Sequence, residues 1–225
     1  MRTGKSPLLQ ESLKELRQKL RWRCKHGHDG ISHYNCWVEE NTVKERVGFI
    51  DIEFWNLDAN FGVMLCWCIK VNGEELILSD KVNLDDLRNK DIQDKNLVQS
   101  CIDTMSTFHH LVGHYSGKCD IPYIRTRAMK WGLEFPHYGE IVHTDVWRMA
   151  KVAMKLNSNR QDTIAGFLRG KSLKTAIDDS WIKAVMCGDQ KALDNILDHC
   201  ERDVLDLEAN YLALKPYCRR SVGSI

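Results

Sequence analysis

Residues 47–55, VGFIDIEFW, form an apolar run that carries two carboxylates, Asp51 and Glu53. A run of this length, rich in branched and aromatic side chains, is typical of a buried β-strand. Because side chains two residues apart on a strand share one face, the two carboxylates are expected to project side by side. Burying such neighbours without compensation costs several kcal/mol, whereas a divalent cation that prefers oxygen ligands, Mg²⁺ or Mn²⁺, removes that cost. The alternative is an exposed strand face on which both acids are solvated.

The rest of the chain is patterned as a mixed α/β protein. Turn-prone stretches separate the first run from two further strand-like segments, so these three are expected to be consecutive antiparallel strands. Helix-like segments then alternate with two more strands, and most of the remainder reads as helical. The predicted strands are 47–55, 62–70, 75–79, 111–116 and 140–145, and the clearest predicted helices are 7–22, 94–109 and 120–131. This order predicts a mixed sheet flanked by helices.

Two other segments carry acids at positions suited to a site. Asp120 follows a predicted strand and loop, LVGHYSGKCD, and opens a helix that ends at Gly132, and loops after strands often hold functional residues. Near the C-terminus, DHCERDV places His199 and Asp203 four residues apart, hence on one face of a helix. Each has an ordinary alternative, a helix cap for Asp120 and a surface pair for the other two.

The three motifs in this order are more specific than any one of them. A strand with D-x-E, a loop and helix with Asp, and a helix with H-x-x-x-D resemble the DEDD superfamily of 3′–5′ exonucleases, which have the ribonuclease H-like fold. The segments FIDIE, HYSGKCDIPYI and HCERDV resemble its first, second and third motifs. The resemblance covers roughly residues 47–215 and is nearest to stand-alone prokaryotic and phage members.

The resemblance implies a role for each matched residue. The implied ligands of two Mg²⁺ or Mn²⁺ ions are Asp51, Glu53, Asp120 and Asp203. His199 would orient or deprotonate the attacking water, and Leu57 matches an apolar position that wedges against the terminal base. Two such ions stabilise the charge that builds on the attacking and leaving oxygens during phosphodiester hydrolysis.

The sequence departs from the superfamily pattern at three places. His199 stands at the spacing of the tyrosine-type branch, one residue closer to the aspartate than in the histidine-type branch. Tyr115 follows the histidine of the second motif, where relatives often have Asn, and Phe54 and Trp55 replace the small residues that usually follow the glutamate. These departures bear on the base and on the grip on the 3′ end, and leave the four carboxylates intact.

A polyanionic, single-stranded substrate also needs positive counter-charge and stacking surfaces. The bases considered for phosphate contact, besides those of the N-terminal helix, are Arg125, Arg127, Lys130, Arg160, Lys171 and Lys174. Candidates for stacking on unpaired bases are Phe54, Trp55 and Tyr115. Solvated side chains and core aromatics are the ordinary alternatives for these two sets.

A second metal-type pattern lies in CKHGHDGISHYNC. The spacing C-x-H-x₆-H-x₂-C is formed by Cys24, His26, His33 and Cys36. Two thiolates and two imidazoles satisfy tetrahedral Zn²⁺, and so short a segment cannot fold on a core of its own. His28 is a competing ligand, and unliganded thiols are the alternative. We therefore divide the chain into 1–46, a basic helix with a zinc-knot-like appendage, and 47–225, the ribonuclease H-like domain.

Composition and charge narrow the functional classes. The 225 residues have a formal net charge of +1, but residues 1–25 carry +6 and the remainder −5. A basic arm on an acidic body is compatible with a polyanion or with a protein partner at the N-terminal segment, and a solvated helix face is the alternative. Nine cysteines, most of them scattered singly, indicate reduced thiols. No apolar stretch approaches the roughly 20 residues of a membrane span, and no secretion signal is evident. A cytoplasmic location is expected, that of the host for a viral protein.

The leading hypothesis is a metal-dependent 3′–5′ exonuclease that acts on single-stranded DNA or RNA ends. A structure-selective endonuclease on the same fold is the second hypothesis, with the basic helix and knot gripping a duplex or branched substrate. The third is a catalytically silent module that binds nucleic acid or a partner. All four acidic positions are filled, which favours an enzyme.

Overall fold

The computed structural model describes residues 13–33, 36–37, 40, 45–176, 178–218 and 223–225. Two compact units divide the chain, residues 1–44 and residues 45–225. In the first unit, helix α1 covers Leu13–Arg21. Residues 7–12 of the predicted first helix lie outside the described residues.

One mixed sheet organises the second unit. Among the described residues it has six strands: β1 Val47–Trp55, β2 Val63–Val71, β3 Ile77–Lys81, β4 His110–Gly113, β5 Val142–Asp145 and β6 Gly223–Ser224. Their order across the sheet is β3-β2-β1-β4-β5-β6. Strands β1, β2 and β3 are antiparallel neighbours, whereas β1, β4 and β5 are parallel neighbours. Strand β6 pairs antiparallel with β5.

Helices follow the strands, and the first of them in the second unit, Leu84–Arg88, has no counterpart among the predicted helices. They are α2 Leu84–Arg88, α3 Lys95–Met105, α4 Asp120–Trp131, α5 Val146–Ala153, α6 Gln161–Arg169, α7 Ser180–Ile182 and α8 Gln190–Leu214. A π-helical turn, Lys183–Cys187, continues α7, and a 3₁₀ turn, Lys215–Tyr217, continues α8. Helix α4 ends at Gly132, whose φ of 64° is a left-handed conformation that glycine adopts without strain.

Two predicted boundaries are wrong for identifiable reasons. Helix α3 ends at Met105 rather than near residue 109, because the N–H of His109 already donates to the carbonyl of Arg46 at 3.0 Å and draws the chain into the sheet. Strand β4 ends at Gly113 rather than residue 116, since Tyr115 has a φ of 59°, which is incompatible with extended backbone.

Helices cover both faces of the sheet and enclose the core. Strand β2 is buried along its whole length. Its Trp67 donates a hydrogen bond to Ser100 on α3 at 3.1 Å, whereas Cys66 and Cys68, which point to the opposite face, hydrogen-bond with Cys200 on α8. The predicted fold class, an α/β ribonuclease H-like mixed sheet flanked by helices, is confirmed. Within the described residues, no helix is long and apolar enough to span a membrane.

Candidate active site

Strand β1 presents Asp51 and Glu53 side by side. They lie opposite Cys68 and Cys66 in the antiparallel pairing with β2, and a bulge follows Glu53. This is the face that packs against α8, where the thiol of Cys200 lies 3.5 Å from the carbonyl oxygen of Asp51. The two carboxylates therefore face a helix and are not on an open sheet surface.

Asp120 joins this pair from the start of α4. Its Oδ1 accepts a hydrogen bond from the backbone N–H of Ile52 at 3.3 Å, and Ile52 stands between Asp51 and Glu53 in β1. The N-cap residue of α4 is Cys119 and not Asp120. The Asp120 carboxylate contacts β1 instead. The buried Asp120 side chain thus lies against the segment that carries the other two acids.

Helix α8 supplies the third motif from the opposite side. Atoms of Glu53, His199 and Asp203 that could ligate a metal all lie within 4.8 Å of one another, and the predicted ligands Asp51 and Asp120 are outside this group. The Nε2 atom of His199 is 3.6 Å from Oε1 of Glu53 and 3.7 Å from Oδ2 of Asp203. Its Nδ1 hydrogen-bonds with the hydroxyl of Thr175, and the ring meets Trp181 edge to face, with centroids 5.4 Å apart. These two contacts fix the orientation of the imidazole.

The electrostatics of the cluster show how closely the acids converge. Burial, followed by repulsion from Asp120, Glu53 and Asp203, raises the pKa of Asp51 well above its ordinary value. Burial, followed by repulsion from Asp203, raises the pKa of Glu53 to about 8. Burial raises the pKa of Asp120 to about 7, and burial lowers the pKa of His199. All four acids therefore form one interacting group in which negative charge is poorly compensated.

Lys174 provides positive charge at this cluster. Its ammonium donates to Oδ2 of Asp203. Burial alone would lower the pKa of Lys174. The charge and hydrogen bond of Asp203, together with the charges of Asp51 and Glu53, outweigh this effect, so the pKa of Lys174 is raised. The sequence offers Lys174 only as one of several bases, because nothing in KSLKT distinguishes it from Lys171.

A polar network on α8 positions the loop that carries Lys174. Asp206 accepts hydrogen bonds from Arg169 at 2.9 Å, from the hydroxyl of Ser172 at 2.5 Å and from the backbone N–H of Leu173 at 2.7 Å. Gln161, at the start of α6, donates to the carbonyl of Asp203 at 2.8 Å. Asp206 is buried, so this network ties the 169–174 segment to the helix of the third motif.

A cavity of about 350 Å³ opens beside the acids. Its lining residues are Asp51, His114, Tyr115, Trp147, Arg160, Gln161, Asp162, Lys174 and Asp203. It therefore combines two of the carboxylates with aromatic and basic side chains. Of the residues considered for substrate binding, Tyr115, Arg160 and Lys174 line this cavity, whereas the others are not among its lining residues.

Asp145 holds the second-motif loop in place. Its carboxylate accepts from the backbone N–H groups of Tyr115 at 2.8 Å and Gly117 at 3.4 Å, and it caps α5 by accepting from Trp147 at 3.0 Å. Tyr115 adopts a left-handed φ of 59°, a conformation that Asn tolerates better than Tyr.

The aromatic pair after the first motif packs internally. Phe54 stacks on Tyr123, with ring centroids 4.2 Å apart, and the carbonyl of Trp55 accepts from the Tyr123 hydroxyl at 3.3 Å. Leu57 is 84% exposed and borders a separate depression of about 290 Å³ with Lys118. Phe54 and Trp55 are partly buried against the core. Only their solvent-facing sides could stack on bases, and this stacking stays a prediction.

One of the three basic residues of α4 considered for phosphate contact is engaged in a buried ion pair instead. Arg127 is 1% exposed and pairs with the fully buried Asp94, to which its Nε donates at 2.8 Å. The suggestion that Arg127 contacts phosphate is therefore wrong. Arg125 lies over the Phe135 ring at 5.2 Å, and Lys130 donates to Gln93 at 2.8 Å. Arg125 is exposed but does not line the cavity beside the acids.

Asp94 connects three elements and was not anticipated from the sequence. It also accepts from the backbone N–H of Met64 in β2 at 2.7 Å and from Trp131 in α4 at 2.9 Å. Asp94 lies just before α3, and no sequence pattern there distinguishes it from nearby acids that are solvated.

The Cys/His segment forms a second group with metal-ligand geometry. Ligand atoms of Cys24, His26, His33 and Cys36 lie within 4.8 Å of one another. His28, the competing candidate, is outside this set. The four residues that the sequence predicts as ligands thus lie close together. Which ion they would bind is considered below.

The carboxylate cluster fits hard divalent cations. Oδ1 of Asp203 is buried and has no hydrogen-bond partner among the described residues. Four carboxylates facing one lysine leave the group short of positive charge. Oxygen donors of this kind suit Mg²⁺ or Mn²⁺.

Comparison with known proteins gives a likeness in fold. No family profile and no curated protein matches the sequence. Solved structures that resemble it include the family B DNA polymerase from the hyperthermophilic archaeon Pyrobaculum calidifontis, with a TM-score of 0.60 and 15% sequence identity. The likeness covers 77% of this chain and 25% of the polymerase chain, so this chain spans about a quarter of that protein. At this identity the comparison establishes a shared fold.

Proposed function

We propose that the protein is a metal-dependent 3′–5′ exonuclease that hydrolyses phosphodiester bonds at single-stranded nucleic-acid ends. The observation that carries the proposal is that Asp51, Glu53, Asp120 and Asp203, from β1, α4 and α8, lie close enough together for Asp51 to be repelled by the other three acids. The fold shared with a DNA polymerase agrees with a nucleic-acid substrate.

The four acids are proposed to hold two Mg²⁺ or Mn²⁺ ions. When bound, such ions lower the pKa of water and stabilise charge on the oxygens around phosphorus. Glu53 and Asp120 have raised pKa values, and a bound cation would lower these values and favour the ionised carboxylates that can hold it. Their fixed positions on a strand and two helices provide the preorganisation that catalysis requires.

His199 is proposed to orient the attacking water and accept its proton. Burial keeps its pKa low, so the imidazole is neutral and able to accept a proton at neutral pH. The Thr175 hydroxyl lies at Nδ1, which leaves Nε2 directed towards Glu53 and Asp203. Nε2 is therefore the atom proposed to face the water.

The cavity beside the acids is proposed to receive the terminal nucleotide. Lys174 lies beside Asp51 and Asp203 and is placed to face the scissile phosphate. Arg160, which is exposed and 3.7 Å from Asp162, is placed at the cavity to meet a neighbouring phosphate. Tyr115, 41% exposed and edge to face with Trp147 at 5.2 Å, offers an aromatic surface to an unpaired base.

The decisive experiment measures degradation of a 5′-labelled single-stranded oligonucleotide by the Asp51→Ala protein with Mg²⁺ or Mn²⁺. We expect activity to fall on the order of a thousandfold, a loss of about 4 kcal/mol of transition-state stabilisation. Asp198→Ala is the matched control, because Asp198 lies on the exposed face of α8 and pairs with Arg202 at 2.5 Å. Undiminished activity of Asp51→Ala, with the fold intact by circular dichroism, would contradict the proposal.

A covalently closed single-stranded circle separates an exonuclease from an endonuclease on the same fold. We expect the circle to survive while a linear strand of the same sequence is degraded. Cleavage of the circle would favour the structure-selective endonuclease. DNA and RNA versions of both substrates, with and without EDTA, identify the preferred nucleic acid.

Calorimetric titration with Mn²⁺ tests the non-catalytic alternative. Wild type is expected to bind Mn²⁺, and Asp203→Asn to bind it at least tenfold more weakly, because Asp203 presents the unpartnered Oδ1. Absence of heat and of degradation in wild type would favour a binding module.

A further inference from the structure

We propose that Cys24, His26, His33 and Cys36 bind one structural Zn²⁺ ion that organises the first unit. This site is separate from the carboxylate cluster in residues, in donor atoms and in the compact unit to which it belongs. It does not depend on the proposed nuclease activity.

Two distances within the set are close to those of a tetrahedral zinc site. The Sγ of Cys24 lies 3.3 Å from Nδ1 of His33 and 3.8 Å from Nδ1 of His26. Zinc bonds of 2.3 Å to sulfur and about 2.0 Å to nitrogen, at a tetrahedral angle, separate the two atoms by about 3.5 Å. The two imidazoles therefore already hold the positions that a shared ion would require, each through Nδ1.

Hydrogen bonds can account for the contacts of Cys24 with the two imidazoles, because its sulfur can donate to one ring nitrogen and accept from the N–H of the other. An ion accounts in addition for the approach of Cys36 to the same point. No disulfide joins Cys24 and Cys36 in this structure. One ion bound to all four residues satisfies the ligand atoms together.

The backbone around the set is built to present these side chains. The N–H of Gly27 donates to the carbonyl of Cys24 at 2.8 Å, and Gly27 has a φ of 81°, which closes a tight turn between Cys24 and His28. Asp29 accepts from the N–H of Ile31 and of Ser32, both at 2.9 Å. This turn leads into the segment that presents His33.

Few apolar side chains are buried in the described part of the first unit. Among these residues, the buried hydrophobic side chains are Cys24 and Trp37. Trp37 packs edge to face on Trp22, with centroids 5.4 Å apart, and Gly30 lies so close to Trp37 that a Cβ would fall 2.7 Å from the ring. A metal bound to all four ligands would stabilise this segment further, because binding to the folded site adds to the free energy of folding.

The donor set selects zinc over the ions proposed for the second unit. Thiolates and imidazoles are poor ligands for Mg²⁺ but suit Zn²⁺, and four protein ligands leave no open position for catalysis. The ion is therefore structural. His28 lies near His33, with ring centroids 4.9 Å apart, yet stands outside the set and offers a matched control.

The test is metal content of the purified full chain after reconstitution with Zn²⁺ and removal of the excess. We expect about one tightly held zinc per chain, and with Co²⁺ in its place a visible spectrum of tetrahedral, thiolate-ligated cobalt. Cys24→Ser and Cys36→Ser are expected to lose the metal, whereas His28→Ala retains it. Asp51→Ala is expected to retain it as well, which separates this site from the nuclease proposal.

A measurement on the wild-type protein guards against variants that fail to fold. Mass spectrometry after timed alkylation should show Cys24 and Cys36 reacting at least tenfold more slowly with Zn²⁺ than without it, while the exposed Cys187 reacts equally fast in both. Zinc absent from the reconstituted wild type, or alkylation of Cys24 and Cys36 unaffected by zinc, would overturn the proposal.

Discussion

The ammonium of Lys174 donates a hydrogen bond to Oδ2 of Asp203, while Oδ1 of the same carboxylate is buried and has no hydrogen-bond partner among the described residues. One lysine thus faces four convergent acids. The cluster is built to accept further positive charge, and this property connects the geometry to a metal-dependent activity.

Lys174 should contribute to turnover through its charge. Lys174→Met is expected to lower kcat about a hundredfold, because it removes a preorganised cation from the place where phosphate charge builds up. Single-turnover degradation of a labelled oligonucleotide measures the effect. Lys171→Met is the matched control, since Lys171 is exposed and does not line the cavity. Equal effects of the two substitutions would contradict the role of Lys174.

Glu53 should make the metal-free protein lose stability as the pH rises. Its pKa is raised from 4.5 to about 8, by burial and then by Asp203, so the folded state holds a proton that the unfolded chain has released. The free energy of unfolding therefore falls between the unfolded and folded pKa values and levels off above about pH 8. In EDTA, the free energy of unfolding of Glu53→Gln minus that of the wild type should increase as the pH rises from 4.5 to about 8.

Urea unfolding of both proteins at several pH values measures this difference. Subtraction removes the opposite contribution of buried histidines such as His143, whose pKa burial lowers to about 4. Saturating Mg²⁺ should reverse the trend for wild type, because ligand binding stabilises the folded state. A pH-independent difference would show that Glu53 titrates normally in the folded protein.

Asp94 should be among the most important charges for stability. Asp94→Asn leaves the guanidinium of Arg127, 1% exposed, without its negative partner, which is expected to cost about 3–5 kcal/mol. Asp179→Ala breaks an exposed pair with Lys183 and should cost less than about 1 kcal/mol. Urea unfolding compares the two variants. Similar costs would mean that Arg127 finds other compensation.

Asp145 should affect both stability and substrate affinity. Asp145→Ala removes the cap of α5 and the anchor of the Tyr115 backbone, with an expected loss of about 1 kcal/mol and a raised KM. Asp189→Ala removes the side-chain cap of α8, away from the cavity lining. It should cost similar stability and leave KM unchanged, so a KM change in both variants would contradict a specific role for the second-motif loop.

The main strands and the acidic residues were predictable because both follow from short-range periodicity. The alternation of residues along β1 fixes that Asp51 and Glu53 share a face, and the four-residue spacing fixes the same for His199 and Asp203. Strand β6, by contrast, is a pair of residues, Gly223–Ser224, whose only signal is its long-range pairing with β5.

Contacts between distant segments explain what the sequence did not reveal. Arg127 and Asp94 are 33 residues apart, and no local pattern marks either as buried. The stacking of Phe54 on Tyr123 likewise depends on how α4 lies on β1. Lys174 differs from Lys171 because hydrogen bonds to Asp206 hold the intervening loop so that Lys174 reaches Asp203.

The bond from Asp94 to Arg127 joins the second turn of α4 to β2 and to the residue before α3. Asp120 begins the same helix, so this charge pair helps to hold in place the helix that carries the Asp120 carboxylate, although neither of its members lines the cavity beside the acids. A random-mutagenesis screen for inactive protein should therefore find substitutions at Asp94 and Arg127 as well as at the four acids. Second-site mutations that rescue the Asp94 or Arg127 variants should do so by restoring the orientation of α4.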